Sequence, residues 1–80
     1  MSVQNGFTRA EKEAIVTAAV ERCLMSSEND WANLAQVGAA IRESGLKYGK
    51  LIKFLNSFSN ILEMRVDYKN DPPIVYVKLK

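Results

Sequence analysis

Leu62-Glu63-Met64-Arg65-Val66-Asp67-Tyr68-Lys69, then Asn70-Asp71-Pro72-Pro73, then Ile74-Val75-Tyr76-Val77-Lys78-Leu79-Lys80, is the stretch on which the reading of the fold turns. Leu62, Met64, Val66 and Tyr68 alternate with charged residues, the period of a half-buried strand. Asn-Asp-Pro-Pro is a turn signal. Val75, Val77 and Leu79 then alternate with Ile74, Tyr76, Lys78 and Lys80. Facing Lys69 with Ile74 pairs Tyr68 with Val75, Val66 with Val77 and Met64 with Leu79. All three pairs lie on one face, as an antiparallel hairpin requires.

Upstream the period changes to that of a helix. Tyr48, Leu51, Ile52, Leu55 and Phe58 recur at i, i+3, i+4, i+7 and i+10, one apolar face at about 100° per residue. Lys50, Lys53 and Ser57 fall nearly opposite, Asn56 on a flank, and Phe54 on the border beside the lysines. Before them, Leu34, Val37, Gly38 and Ile41 outline a shorter amphipathic helix. Ser44-Gly45 stops it, with Gly45 suited to a left-handed cap. A mid-helix glycine costs about 1 kcal/mol against alanine, so Gly38 implies a close neighbour, for which Trp31 is the candidate. The first helix opens on Thr8-Arg9-Ala10-Glu11, the spacing of a capping box, and runs to about Met25. Its apolar side is read as Ala14, Ile15, Ala18, Ala19, Val20, Cys23 and Leu24; Glu13, Thr17 and Glu21 mark the wet side. Residues 1–7 read as a lead-in and 8–80 as one domain.

The order is helix, short extended piece, helix, helix, hairpin. That is the α+β order of a winged helix-turn-helix: a three-helix core, a short turn between the second and third helices, and a C-terminal two-stranded wing.

Composition narrows what such a domain does. The chain has 80 residues, no histidine, one cysteine and four glycines. Without histidine no Ser-His-Asp or Cys-His pair forms within the chain, and the commonest general acid/base is missing. One cysteine makes no internal disulfide and no Cys/His zinc site, and it fits a reducing compartment. The glycines match neither phosphate-loop fingerprint. The expectation is a binding module that is not an enzyme, without cofactor or metal, cytoplasmic and not membrane-bound: no apolar run approaches the length of a span, and the N-terminus lacks the pattern of a signal peptide.

The net charge of +2 conceals an asymmetry. Residues 1–40 hold three basic and five acidic residues; residues 41–80 hold eight basic and four acidic. From Ser44 to Leu62 there are three lysines and no acid. Lys47, Lys50 and Lys53, with Lys69 near the wing tip, therefore read as phosphate contacts. The alternative is an ordinary solvated helix face. Lysines with Ser57 and Asn56 suit backbone contact better than base readout, which favours Arg, Asn or Gln. Phe54 and Tyr76 each have two readings, as filler between helix and wing or as a half-exposed ring on which an unpaired base stacks. Trp31 reads as a core plug and Cys23 as a buried small apolar residue. The alanine flank of the second helix, at Ala32, Ala35 and Ala39, and the outer strand residues Ile74 and Tyr76 are candidates for protein contact, the latter for a weak homodimer through the wing.

Asp30-Trp31-Ala32-Asn33-Leu34-Ala35-Gln36-Val37-Gly38, Tyr48-Gly49-Lys50-Leu51, Phe54-Leu55-Asn56-Ser57-Phe58, Ile61-Leu62-Glu63 and Val75-Tyr76-Val77-Lys78-Leu79 together resemble the LOTUS family, also called OST-HTH. The likeness spans roughly Thr8 to Lys80 and consists mostly of core positions. It implies a winged helix and RNA binding, in several members of guanine-rich or quadruplex RNA. It also implies an NYN-type ribonuclease domain as partner, in the same or another protein. Some members bind a DEAD-box RNA helicase, and some dimerise through the wing sheet. Three departures stand out. Ala35 replaces a serine common at the start of the second helix, leaving capping to Asn33 or water. The glycine-to-Lys50-Leu51 spacing is shorter than usual. The helicase-binding members carry a further C-terminal helix where this sequence ends, so helicase binding is the weaker expectation, and a nuclease would lie elsewhere. The leading expectation is a non-catalytic RNA-binding module using Lys47, Lys50, Lys53, Phe54, Ser57 and Lys69. The alternatives are a DNA-binding winged helix of a regulator and a protein-interaction or dimerisation module.

Overall fold

The first helix, α1 (Arg9–Met25), starts where its capping residues dictate. The Thr8 hydroxyl accepts from the Glu11 N–H at 3.1 Å, and the Glu11 carboxylate accepts from the Thr8 N–H at 2.8 Å, so both halves of the box are made. The computed structural model describes residues 7–27 and 29–80. Most of the lead-in therefore lies outside the described residues; its last member, Phe7, is half-buried against the core.

The buried stripe of α1 is Val16, Ala19, Val20 and Cys23. It is rotated from the sequence expectation: Ala14 and Ala18 are exposed, while Val16, absent from the expected face, is fully buried. Residues 14–20 are apolar at nearly every position, so spacing alone leaves the face ambiguous. Burying two valines removes more apolar area than burying the alanines beside them.

A two-residue strand, β1 (Ala32–Asn33), follows, and α2 (Leu34–Glu43) starts directly after it. Asn33 caps α2, its side-chain oxygen accepting from the Ala35 N–H at 2.8 Å. Val37, Gly38 and Ile41 are buried as their spacing predicts. Gly45, at φ +92°, turns the chain out of the helix in the left-handed region that favours glycine.

The connection 44–50 is longer than the short turn expected, and it contributes to packing: Leu46 is buried and Tyr48 half-buried. It leads into α3 (Leu51–Asn56), a helix of only six residues. Its inward side is turned toward Phe54 and away from Ile52, which is half exposed. The helix ends before Phe58, so a 100° projection carried from Tyr48 to Phe58 overruns the regular segment. Packing among Tyr48, Phe54 and Phe58 sets the orientation instead.

Strands β2 (Leu62–Asp67) and β3 (Ile74–Leu79) pair antiparallel, and β1 pairs with the other edge of β3. The two-stranded sheet of the sequence reading is thus three-stranded, in the order β1-β3-β2. The register also differs. Leu62 faces Leu79, Met64 faces Val77 and Val66 faces Val75, two residues from the expected pairing. A shift of two keeps every side chain on its face, so the apolar alternation cannot detect it. The turn is longer because the Asp67 carboxylate accepts from the Lys69 N–H at 2.9 Å, which leaves Tyr68 outside the strand and exposed.

The core lies between the helices and the inner sheet face, where Val77, Leu62 and Ala32 meet Val16, Val20, Val37, Ile41, Leu46, Leu55 and Phe58. Trp31 is not its plug. Ala32 points inward, so the alternating neighbour Trp31 lies on the outer face, half-buried. The close neighbours of Gly38 are instead Leu51 and Tyr48. A Cβ on Gly38 would sit 2.6 Å from Leu51 Cδ2 and 2.9 Å from the Tyr48 hydroxyl. Gly38→Val should therefore lower stability by about 1–3 kcal/mol despite a better helix propensity, read as a lower urea midpoint. An unchanged midpoint would mean that Leu51 and Tyr48 move aside freely.

Candidate nucleic-acid interface

The exposed lysines of the acid-free segment sit on three differently built positions. Lys47 lies in the connection 44–50, Lys50 is the N-cap of α3, and Lys53 is within its last turn. All three are exposed, and among the described residues none pairs with a carboxylate; the ion pairs there are Arg22–Glu43 at 3.2 Å and Lys78–Glu63 at 3.6 Å.

The same segment carries a ladder of rings. Tyr48 and Phe54 stack with centroids 5.5 Å apart and planes 18° apart. Phe54 meets Phe58 edge-on at 5.3 Å. A guanidinium closes each end: Arg42 lies 5.4 Å from the Tyr48 centroid, and Arg9 lies 4.4 Å from that of Phe58. Arg9 also donates to the Ser57 carbonyl. Each aromatic pair contributes roughly 0.5–1.5 kcal/mol beyond area burial, and each exposed cation–ring contact about 0.5–1 kcal/mol. The ladder ties α2, the 44–50 connection, α3 and the start of α1 into one surface.

This geometry distinguishes the expected site residues. Phe54 is half-buried, with one face against Tyr48, so it is a strut of the surface more than a free platform. Ser57 ends α3: its hydroxyl donates to the Phe54 carbonyl at 2.6 Å. Lys69 belongs to another region, in the β2–β3 turn, past the end of β2, whose five steps from Leu62 to Asp67 span roughly 17 Å at about 3.3 Å each. A single phosphate cannot join it to the start of β2, but a ligand several nucleotides long can. Arg42 and Arg9 are basic members of the surface that spacing does not find. Arg42 and Lys47 line one open cleft with Gly45, Leu46 and Tyr48. No sequence period relates Arg9 to Phe58, 49 positions away, and only the fold brings them together.

A second aromatic and basic cluster occupies the outer sheet face. Trp31 has Lys78 Nζ at 4.7 Å and the Arg65 guanidinium at 5.0 Å from its ring centroid. The same guanidinium lies 5.8 Å from the Tyr76 ring.

Comparison with family models, with curated proteins and with solved structures finds no match to this chain. Among the described residues no helix is long and apolar enough to cross a membrane.

Cys23 stands apart from both clusters. It is buried on α1, and burial pushes its thiol above the ordinary value, with the Arg22 charge opposing in part. The folded state thus favours the protonated thiol. That contribution is complete below the pKa of the unfolded thiol and is lost as pH rises through the raised folded value. At pH 8 Cys23 should react with a disulfide reagent far more slowly in the folded protein than in urea. Equal rates in the two states would contradict its burial.

Proposed function

We propose that this chain is an RNA-binding module of the winged-helix type, similar to LOTUS domains, that holds RNA by its phosphates and carries out no catalysis itself. The observation that carries this reading is the acid-free run of exposed lysines, Lys47, Lys50 and Lys53, in the segment whose rings build the Arg42–Tyr48–Phe54–Phe58–Arg9 ladder. Three exposed cations within seven residues, with no acid among them, favour an anionic partner. The order of elements supports the fold type: helix, stub strand, helix, helix, and two strands, with the stub closing against the last strand.

The length of α3 favours backbone contact over duplex readout. Six residues at about 1.5 Å each span roughly 9 Å, less than three base-pair steps of a major groove. Among the exposed α3 side chains, Asn56 is the one amide and there is no arginine to read base edges. Guanine-rich or structured RNA, a ribonuclease domain served by the module, and self-association through the wing sheet belong to the same reading by resemblance; β3 is the central strand, paired with β1 at Tyr76, so the edge pairing expected of Ile74 and Tyr76 would have to fall to β2 instead.

Lys50→Glu/Lys53→Glu should abolish binding to a structured guanine-rich RNA while leaving the far-ultraviolet circular dichroism and the urea midpoint in place. With three or four phosphate contacts, the wild-type log–log salt slope should be about −2 to −3. Undiminished binding by the double variant would remove α3 as the contact. A clear preference for duplex DNA over this RNA would favour the DNA-binding alternative.

A further inference from the structure

We propose that the outer face of the sheet around Trp31 is a second nucleic-acid contact, a platform that receives one unpaired base and the phosphate beside it. It rests on the RNA-binding reading and adds to it a surface that the α3 lysines do not share.

Trp31 is the largest side chain in the protein, and the fold places it outside the helical core. Its partners are a lysine and an arginine. By register, the three strands present one layer: Trp31 leads into β1, Tyr76 and Lys78 stand on β3, and Arg65 stands on β2 directly opposite Tyr76. The inner side of this layer is Ala32 and Val77, both essentially inaccessible, so the platform is backed by the core and does not depend on a loop.

Arg65 gives the site its chemistry. Its guanidinium approaches both the Trp31 and Tyr76 rings, and among the described residues it has no carboxylate partner. Contact with the rings restrains the group while its N–H donors remain unspent on an anion, the condition for binding a phosphate. Lys78 is partly compensated by Glu63 at 3.6 Å. Rings and cations side by side match a strand of unpaired nucleotides, in which π faces and phosphates alternate. An apolar protein segment fits less well, because charged side chains interrupt the two rings.

Trp31 is the only tryptophan, so its emission reports on this face. The probe is an unstructured oligouridylate of about twelve nucleotides at low salt, long enough to reach more than one contact. Binding is followed by the anisotropy of a labelled strand and, separately, by Trp31 emission with the unlabelled strand. Emission should be quenched with the same midpoint as the anisotropy. Arg65→Gln, which leaves the inner sheet face unaltered, should weaken binding about five- to tenfold and diminish the quench. An anisotropy rise with unchanged Trp31 emission would overturn the platform and leave the α3 interface standing. Unchanged affinity and quench in Arg65→Gln would also overturn it. If neither this strand nor the structured RNA raises the anisotropy, the RNA-binding reading itself falls, and the platform with it.

Discussion

At Gly38 α2 has no side chain, and Leu51 and Tyr48 come against its backbone. A six-residue helix has too few internal hydrogen bonds to stand alone. What holds α3 is packing on both sides, with Leu51 and Tyr48 seated at Gly38 and with Leu55 and Phe58 in the core. Once Tyr48 is seated there, its ring stacks with Phe54, Phe54 meets Phe58, and Arg42 and Arg9 close the two ends. The glycine therefore sacrifices local helix stability to position the surface that carries Lys47, Lys50 and Lys53.

The sheet adds a different kind of constraint. The stub Ala32–Asn33 pairs with β3 on one side while its Asn33 side chain caps α2 on the other. Two residues thus join the sheet edge to the start of a helix, and the alternation of a strand sends Trp31 and Ala32 to opposite faces. One face completes the core. The other gathers Trp31, just before β1, with Tyr76 and Lys78 of β3 and Arg65 of β2, so the protein presents two basic aromatic clusters built by unrelated means: stacking in the helical layer and register in the sheet.

Much of this was legible from residue spacing, and the failures have common causes. The capping box at Thr8, the α2 stripe, the Gly45 cap and the period-2 strands follow local rules and appear as expected. The strand register missed by two because alternation repeats every two residues and an Asx turn at Asp67 lengthened the loop. The α1 face missed Val16 because alanines blur the stripe. The place of Trp31 depended on whether a two-residue segment pairs with a strand more than 40 positions later, which no local pattern encodes. For the candidate interface, the lysines were visible as an acid-free run. Arg42 and Arg9 were not, because their link to the rings is purely tertiary.

The central claim is that α3 and its basic flank form the RNA-binding surface, and mapping backbone amide chemical shifts during titration with a structured guanine-rich RNA tests it most directly. The account predicts that the largest shifts fall between Lys47 and Ser57, with further shifts at Arg9 and Arg42. Shifts confined to α1 and α2, where Ile15, Ala18, Arg22 and Ala40 line a shallow groove, with residues 47–57 unmoved, would contradict it.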